Sequence, residues 1–288
     1  MSDHHHEHVG GHHRGHDEHH HHDFASANES HYDQRAKEYE EKLGEEGRKL
    51  TQGTVGTILK MEPLAFNKDT TVLDFACGTG FLSRMLIPHV KTISGVDISQ
   101  GMVDIYNQWV AKEGIDQEAM KAHRLELKGD GTEFGGSKFD VVVCQAAYHH
   151  FASPSETTQL LAKFLKPGGS IFVADILNKT DKQLPGIEGY LDVVPHSKGF
   201  TEKEIKEILE SGGLERFQFV EAASAINHEG HEMQFFVARV CALHDTTVVF
   251  ITSNSQNPAF GPQKLLKMSG QDFRCNFNTS FFSSLHME

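Results

Sequence analysis

The sequence predicts an α/β fold in which a largely parallel sheet is covered by helices on both faces. Three observations support this prediction. Short apolar runs alternate with helical patterns over residues 71–240, as they do when strands and helices take turns along a chain. Several runs end in an acid or a small-residue turn, where a strand can lead into a helix. The run at residues 141–144 is apolar throughout, which is typical of a strand buried on both faces.

The first predicted strand leads into the most informative loop. Residues 71–75 contain Asp74, and a turn carrying Ala76, Gly78 and Gly80 follows before a helix begins. Glycine has no Cβ, so such a loop lets a ligand lie against the backbone. A carboxylate at the strand end can meet a cationic group or a hydroxyl. The loop therefore predicts a site for a nucleotide-like cofactor.

This loop alone leaves alternatives open. An ordinary turn of another α/β protein is one, because two glycines are a weak motif. A nicotinamide-binding loop is another, although that pattern has a third glycine where Ser83 stands. The elements that follow are needed to separate these possibilities.

The second predicted strand covers residues 92–99 and ends at Asp97. A carboxylate in this position can accept two hydrogen bonds from a ribose diol. Asp97 and Ser99 also precede a helical run, so a helix cap is a second role that is compatible with the first. Ile98 either packs on a bound ligand or is simply a buried residue at the strand end.

Three more elements follow in order. The alternation of residues 124–131 predicts a third strand that ends in Asp130, next to Gly131. Asp130 is either a ligand-binding acid at the strand end or a turn aspartate before Gly131. A fourth strand lies within residues 138–151. An amphipathic helix then stops at a Lys-Pro-Gly-Gly turn at 166–169, and a fifth strand begins. The pattern at 233–240 predicts the last strand of the sheet.

Together these motifs resemble those of the class I S-adenosylmethionine-dependent methyltransferases, in particular small-molecule enzymes similar to the quinone-biosynthesis group. The resemblance covers residues 31–240 and includes a methionine, Met102, just after the second acid. It implies a Rossmann-like, doubly wound sheet of seven strands, mostly parallel with one reversed, and S-adenosylmethionine as the cofactor. The family pattern has three alternate glycines, and Ala76 departs from it.

The order of the five elements makes a dehydrogenase a poor alternative, and the resemblance also implies a set of cofactor-binding positions. An aromatic residue of the leading helix would close over the cofactor, and Tyr39 matches it better than Tyr32. The complete predicted set is Tyr39, Asp74, Ala76, Gly78, Gly80, Asp97, Ile98, Met102, Asp130, Gly131 and Gln145.

Three histidines are candidates for taking a proton from the methyl acceptor. His149 and His150 follow the fourth strand, and His196 lies in a loop before a helix at 202–210. Open α/β sheets bind ligands at strand carboxyl ends, where imidazole can act as a general base. Each of them can instead serve packing alone. A magnesium site would need several converging carboxylates, and the fourth strand ends without an acid, so we expect metal-independent transfer.

The chain divides into three predicted parts. Residues 1–30 form a histidine-rich leader with few apolar side chains, which we expect to be disordered. Residues 31–240 form the methyltransferase domain, and residues 241–288 are an unassigned extension. Twelve of the 21 histidines fall in residues 1–31. Imidazole binds Zn and Ni well, so incidental metal binding by the leader is expected whether or not it has a physiological role.

Composition restricts the partners. The net charge of −13 over 288 residues disfavours nucleic acid, which needs a basic surface. No apolar run reaches the ~20 residues of a membrane span, and the polar start does not resemble a secretory signal. The four cysteines, at 77, 144, 241 and 275, form no disulfide framework or metal-binding spacing, so a reducing, cytoplasmic location is expected.

The sequence therefore predicts a metal-independent methyltransferase that acts on a small molecule. A non-catalytic S-adenosylmethionine-binding protein is one alternative. A metal-handling protein that functions through the histidine-rich leader is another. The acceptor molecule and the atom that is methylated are left open at this stage.

Overall fold

The computed structural model describes residues 23–226 and 230–243, and these residues form a seven-stranded sheet with helices on both faces. The strands are β1 (Thr71–Phe75), β2 (Thr92–Asp97), β3 (Met120–Arg124), β4 (Phe139–Gln145), β5 (Leu165–Ile176), β6 (Glu215–Ile226) and β7 (Glu232–Cys241). The α-helices are α1 (Phe24–Met61), α2 (Phe81–Leu86), α3 (Gln100–Lys112), α4 (Pro154–Ala162) and α5 (Glu202–Glu210). Short 3₁₀ turns occupy 87–89, 133–136, 148–150 and 188–190.

The strand order is β3-β2-β1-β4-β5-β7-β6. Neighbouring strands from β3 to β5 pair in parallel, whereas β7 runs antiparallel to both β5 and β6. The predicted doubly wound, mostly parallel sheet with one reversed strand is confirmed. The strands β2 and β3 lie on one side of β1, and β4 and the later strands lie on the other side. The strand order therefore reverses between β1 and β4, and the carboxyl ends of these two strands are where an open sheet forms a ligand-binding crevice.

The central strands are apolar because both of their faces are covered. Leu73 and Val142 belong to the core on one face, and Val72, Val141 and Val143 belong to the core on the other. All five are fully buried. A run without polar interruption is what a doubly covered parallel strand requires. The uninterrupted apolar pattern of β4 was thus a reliable signal.

Helix α1 begins earlier than the predicted domain boundary at residue 30. Asp23 caps it by accepting a hydrogen bond from the Ser26 amide at 3.1 Å, and Phe24 is its first residue. The helix kinks at Gly44, whose φ of 58° lies in the left-handed region. The histidine-rich composition hid this helix start, because only three residues before Asn28, namely Phe24, Ala25 and Ala27, are both apolar and helical. Residues 1–22 of the predicted leader lie outside the described residues.

The predicted third strand is wrong in its position. β3 ends at Arg124, which pairs with Asp97, and the chain then leaves the sheet. Asp130 lies in an exposed turn, where its carboxylate accepts hydrogen bonds from the backbone and the hydroxyl of Thr132. The alternation of Leu125 and Leu127 was misleading, because these residues pack on the core from a loop rather than from a strand.

The remaining boundaries agree closely with the sequence predictions. Regular pairing of β5 with β4 resumes at Ser170 after the Lys-Pro-Gly-Gly turn. Helix α5 has the predicted bounds, and it opens with a capping box between Thr201 and Glu204. β7 ends at Cys241, and residues 244–288 of the predicted extension lie outside the described residues. Within the described part of the chain, no helix combines the length and apolarity of a membrane span.

Candidate active site

A cavity of about 400 Å³ lies at the carboxyl ends of the parallel strands, beneath the first half of α1. Residues at the ends of β1, β2 and β4, and in the loops that follow β1 to β4, form its floor, as expected for an open α/β sheet. These floor residues are Phe75, Ala76, Gly78, Asp97, Ile98, Leu125, Glu126, Leu127, Gln145, Ala146 and Ala147. Further walls come from α1 (Phe24, Ala25, Asn28, Tyr32, Tyr39), from Met102, and from His150 to Leu160 around the start of α4.

The loop after β1 brings backbone close to the cavity. Ala76 and Gly78 both line it, with φ values of 55° and 52°. A Cβ placed on Gly78 would meet no heavy atom within 4 Å, so open space lies beside this residue. Gly80 differs, because its Cβ would stand 2.5 Å from the Tyr106 ring. Gly78 therefore leaves room for a ligand, whereas Gly80 allows α2 to pack on α3.

Asp97 is held with its carboxylate in the cavity wall. One oxygen accepts a hydrogen bond from the Gly78 amide at 2.8 Å, and the other accepts one from the Ser99 amide at 2.9 Å. Burial raises the pKa of Asp97, and these two amide contacts oppose that rise. Each oxygen keeps a further lone pair. A pair of hydroxyls, such as a ribose diol, matches this arrangement.

Asp74 does not line the cavity, although the family resemblance assigned it to the cofactor. Its carboxylate accepts a hydrogen bond from the Ser83 hydroxyl at 2.6 Å beneath the loop. Burial raises the pKa of Asp74 to about 7, against the lowering effect of Ser83. The immediate structural role of Asp74 is to tie the end of β1 to the first turn of α2.

The first half of α1 forms a wall of the cavity. Asn28, Tyr32 and Tyr39 lie on its inner side, at the spacing of one helical face. Polar contacts hold this part of the helix in place. Asp33 accepts hydrogen bonds from the Ser99 hydroxyl and the Gly101 amide, and Glu29 pairs with Arg124.

Of the three candidate histidines, only His150 lines the cavity. Its Nδ1 lies 2.7 Å from the Val193 carbonyl oxygen, which can only accept, so this nitrogen carries the proton. The lone pair of Nε2 then accepts a hydrogen bond from the Tyr32 hydroxyl at 2.9 Å. Burial, with a smaller contribution from His149, lowers the pKa of His150 to about 3. Burial also raises the pKa of Tyr32 well above its ordinary value.

His149 and His196 lie behind the cavity wall. His149 Nδ1 is 2.7 Å from a carboxylate oxygen of Asp175, a fully buried residue of β5. Burial alone would raise the pKa of Asp175, but the His149 ring holds it below its usual value. The backbone amide of His196 donates to the His149 carbonyl oxygen at 3.2 Å, and its ring packs on Phe200. These contacts position the loop that carries Val193.

Gln145, at the end of β4, offers an amide oxygen to the cavity. Its Nε2 donates to Thr51 Oγ1 at 2.9 Å, and the Thr51 hydroxyl donates in turn to the Gly47 carbonyl oxygen. This chain fixes the orientation of the amide. Gln145 Oε1 is buried and has no hydrogen-bond partner among the described residues. An ammonium group would satisfy it.

The structure thus divides the predicted site residues into two sets. The residues that line the cavity are Tyr39, Ala76, Gly78, Asp97, Ile98, Met102, Gln145 and His150. The residues that lie outside its lining are Asp74, Gly80, Asp130, Gly131, His149 and His196. Sequence reasoning missed Asn28 and the segment 125–127. Asn28 shares a helical face with Tyr32, and that spacing was the signal available in the sequence.

The described residues contain no cluster of three or more His, Cys, Asp or Glu side chains that could hold a metal ion. The histidines of residues 1–22 lie outside that part of the chain. Cys77, Cys144 and Cys241 are free and buried.

The fold and the site define a doubly wound α/β protein with a nucleotide-cofactor crevice. The family model described as "Methyltransferase domain" matches residues 47–218, which is more than half of the chain. The chain belongs to this family, and its predicted membership of the class I S-adenosylmethionine-dependent methyltransferases is confirmed. The open space at Gly78, the free lone pairs of Asp97 and the unpartnered Gln145 oxygen fit S-adenosylmethionine, the cofactor of the class.

Relatives agree with this assignment. The chain is 40% identical over 161 residues to an uncharacterised methyltransferase of Schizosaccharomyces pombe, covering 54% of this chain and 57% of that protein. It is 28% identical over 156 residues to a ubiquinone biosynthesis O-methyltransferase of Coxiella burnetii, covering 51% of this chain and 64% of that protein. The match thus spans somewhat under two thirds of each of these relatives.

Solved structures support the fold. A magnesium protoporphyrin IX methyltransferase from Synechocystis, with bound S-adenosylhomocysteine, superposes with a TM-score of 0.56 at 16% identity. The match covers 76% of this chain and all of that one. A crystal structure of a protein from Bacillus halodurans gives a TM-score of 0.53 at 15% identity, and the match covers 66% of this chain and 98% of that one. At these identities the likeness concerns the fold alone.

Proposed function

We propose that the chain transfers a methyl group from S-adenosylmethionine to a small-molecule acceptor, without a metal ion. The observation that carries the proposal is one cavity lined by two kinds of group. Asp97 and Gly78 suit the cofactor, and the Tyr32–His150 pair suits removal of a proton from an acceptor. We assign the catalytic domain to the segment that starts with α1 and ends with β7.

The cofactor would be held by residues at the ends of β1, β2 and β4. Asp97 would accept the ribose hydroxyls, and Ile98 and Met102 would pack on the adenine. Gln145 Oε1 would accept from the amino group, and Tyr39 would cover the cofactor from α1. When bound, S-adenosylmethionine supplies an electrophilic methyl group on a sulfonium. The protein's task is then to align the acceptor and to exclude water.

The size and lining of the cavity favour a small acceptor. Ligand pockets for small molecules typically measure ~300–1,000 Å³ and are largely apolar, and this cavity of about 400 Å³ has aromatic residues such as Phe24 and Phe151 in its walls. The similarity to an O-methyltransferase of ubiquinone biosynthesis supports a metabolite, and not a macromolecule, as the acceptor. The net charge of −13 argues against nucleic acid.

Tyr32 and His150 would act together on the acceptor's proton. The Tyr32 hydroxyl already donates a hydrogen bond to His150 Nε2. When the Tyr32 oxygen takes the proton of the acceptor, the Tyr32 hydroxyl proton can therefore move to His150 Nε2. The Val193 carbonyl oxygen keeps His150 in the tautomer that this transfer needs. His149 and His196, which we predicted as alternative bases, would instead hold this constellation in position.

The proposal can be tested by incubating the protein with S-adenosylmethionine labelled in the methyl group and a small-metabolite extract. We expect label to move into molecules that pass a low-molecular-mass filter. The control is the Asp97→Ala variant, which should bind cofactor poorly and transfer no label. Label that appears only in macromolecules would contradict a small acceptor. Wild-type protein that binds S-adenosylmethionine yet transfers no label to any fraction would favour a non-catalytic cofactor-binding protein.

A further inference from the structure

The part of the cavity formed by α1 and the start of α4 carries an unpartnered, buried acceptor atom. Asn28 lines the cavity and is 6% exposed. Its Nδ2 donates two hydrogen bonds, to the Phe24 carbonyl oxygen at 2.8 Å and to the Val193 carbonyl oxygen at 3.0 Å. Both partners can only accept, so the orientation of the amide is fixed.

Asn28 Oδ1 is consequently left without a partner among the described residues. A buried oxygen that lacks a hydrogen bond costs free energy, and buried unsatisfied atoms are uncommon enough to need a reason. Val193, which anchors the Asn28 amide, is also the residue that orients His150. The Asn28 side chain, through its Nδ2, and the His150 ring, through its Nδ1, are therefore held by the same carbonyl oxygen.

The charges around this cavity have one sign. The carboxylates that line it belong to Asp97, Glu126 and Glu156, and no lysine or arginine among the described residues lines it. The Tyr32 hydroxyl donates its hydrogen bond to His150, so towards a ligand the Tyr32 oxygen can only accept one. An anion in this cavity would be repelled by these carboxylates, and no lysine or arginine of the lining would offset that repulsion. A hydroxyl or an amine would find acceptors, and a cation would also meet aromatic faces.

We propose that the methyl acceptor is a non-anionic molecule, a phenol-like alcohol or an amine, that donates a hydrogen bond to Asn28 Oδ1. This inference rests on the proposed function, because it assigns the part of the cavity beside Tyr32 and His150 to the acceptor. It goes beyond that function by stating the charge class of the acceptor and the residue that selects it.

The experiment measures binding and not turnover. Calorimetry is run on the full chain saturated with S-adenosylhomocysteine, at pH 7.5, with three para-substituted phenols of matched size. These are tyramine, which is a cation, 4-ethylphenol, which is neutral, and 4-hydroxyphenylacetate, which is an anion. We expect the anion to bind about tenfold more weakly than the tighter of the other two, because the repulsions from the exposed Glu126 and Glu156, each worth up to about 1 kcal/mol, add together.

Two variants and one control locate the effect. Asn28→Ala should weaken the preferred probe by about three- to tenfold, the worth of one neutral hydrogen bond, without changing the affinity for S-adenosylhomocysteine. Glu156→Gln should narrow the gap between tyramine and the anion by about two- to fivefold, as for an exposed charge. Glu38→Gln is the matched control: it changes an exposed α1 residue that pairs with Lys42 and lies outside the cavity lining, and it should leave the preference intact.

The proposal is overturned if the anion binds as tightly as the other probes, if none of the three binds at millimolar concentration, or if Asn28→Ala and Glu38→Gln behave alike. Its failure differs from failure of the proposed function. Charge-selective probe binding without any methyl transfer would refute the enzyme and leave the binding site. Methyl transfer to an anionic metabolite would keep the enzyme and refute the charge class.

Discussion

The Asp33 carboxylate, in α1, accepts a hydrogen bond of 2.5 Å from the Ser99 hydroxyl at the start of α3. Ser99 also caps α3 by accepting from the Met102 amide at 3.1 Å. This hydrogen bond is the first of several causes that hold the pKa of Asp33 below its usual value. This contact holds α1, which forms a wall of the cavity, against the start of α3, which follows Asp97. The same hydrogen bond therefore positions both the cofactor side and the acceptor side of the cavity.

Replacing Asp97 by Ala should weaken cofactor binding. The change removes both carboxylate oxygens that await the ribose hydroxyls and frees the Gly78 amide. A charged hydrogen bond is worth about 1.5–3 kcal/mol, so calorimetry should show the affinity for S-adenosylhomocysteine reduced by about tenfold or more. Asp104→Ala, which removes an exposed carboxylate of α3 outside the cavity lining, is the control. Equal affinity in both variants would remove Asp97 from the site.

The two glycines of the loop after β1 should respond differently to alanine. Both have positive φ, so each change carries about 1–2 kcal/mol of backbone strain. Gly78→Ala adds a methyl group in open space, and we expect a folded protein with weakened cofactor binding. Gly80→Ala drives a methyl group against the Tyr106 ring, and we expect the larger loss of stability. Urea unfolding and calorimetry on both proteins would show whether this separation of binding from stability holds.

Tyr32→Phe should reduce turnover and spare cofactor affinity. It removes the hydroxyl that links the cavity to His150, and general-base catalysis typically contributes ~10²–10⁴ in rate. His196→Asn, behind the wall, should retain most of the activity. Single-turnover rates with the labelled cofactor would measure both. A Tyr32→Phe enzyme of normal rate would indicate an acceptor that is already nucleophilic.

The pH dependence of the Tyr32–His150 pair follows from its burial. The pKa of His150 is lowered to about 3, and that of Tyr32 is raised well above its ordinary value. Both groups are therefore neutral from about pH 5 to about pH 9, a range that includes the ordinary imidazole pKa of ~6.5. The rate of the chemical step should show no titration near that value from this pair. A clear inflection there that disappears in His150→Gln would contradict the assignment.

Asp74→Asn should change how stability depends on pH. The folded-state pKa of Asp74 is about 7, whereas an aspartate in an unfolded chain has a pKa of ~3.9. The folded state thus binds the extra proton, so this group's contribution is fully present below ~3.9 and is lost as the pH rises through about 7. Relative to the wild type, the variant should gain stability between pH 5 and pH 8 in urea titrations. A constant difference at both pH values would show that Asp74 titrates normally.

Local sequence was sufficient wherever the burial of an element is decided by its own residues. β1, β4 and α5 have the predicted positions, because a doubly buried strand or a capped amphipathic helix is readable within about ten residues. The failure at β3 has a related cause. Leu125 and Leu127 alternate with polar residues as a strand does, but their apolar side chains face a core and a cavity that only the tertiary structure creates.

The site was harder to predict where it depends on register. His149 meets Asp175 because β4 and β5 are aligned so that Gln145 pairs with Ala174, and no spacing along the chain reveals that alignment. The same holds for Val193, whose carbonyl oxygen receives both Asn28 and His150. The choice of His150 over its neighbours as the cavity residue therefore required the three-dimensional arrangement.

The kink of α1 at Gly44 separates two regions of unequal attachment. Beyond it, six residues from Gly47 to Ile58 are buried, whereas before it only Asn28 and Ala36 are. Detaching the region before Gly44 would expose little apolar surface, so the free energy of this opening should depend little on denaturant concentration. The region after Gly44 should detach only when the whole domain unfolds. Amide hydrogen exchange would then report two regimes within one helix. Molecules would enter and leave the cavity when the region of α1 before Gly44 opens. The rate of that opening would be governed by polar contacts and not by the stability of the core.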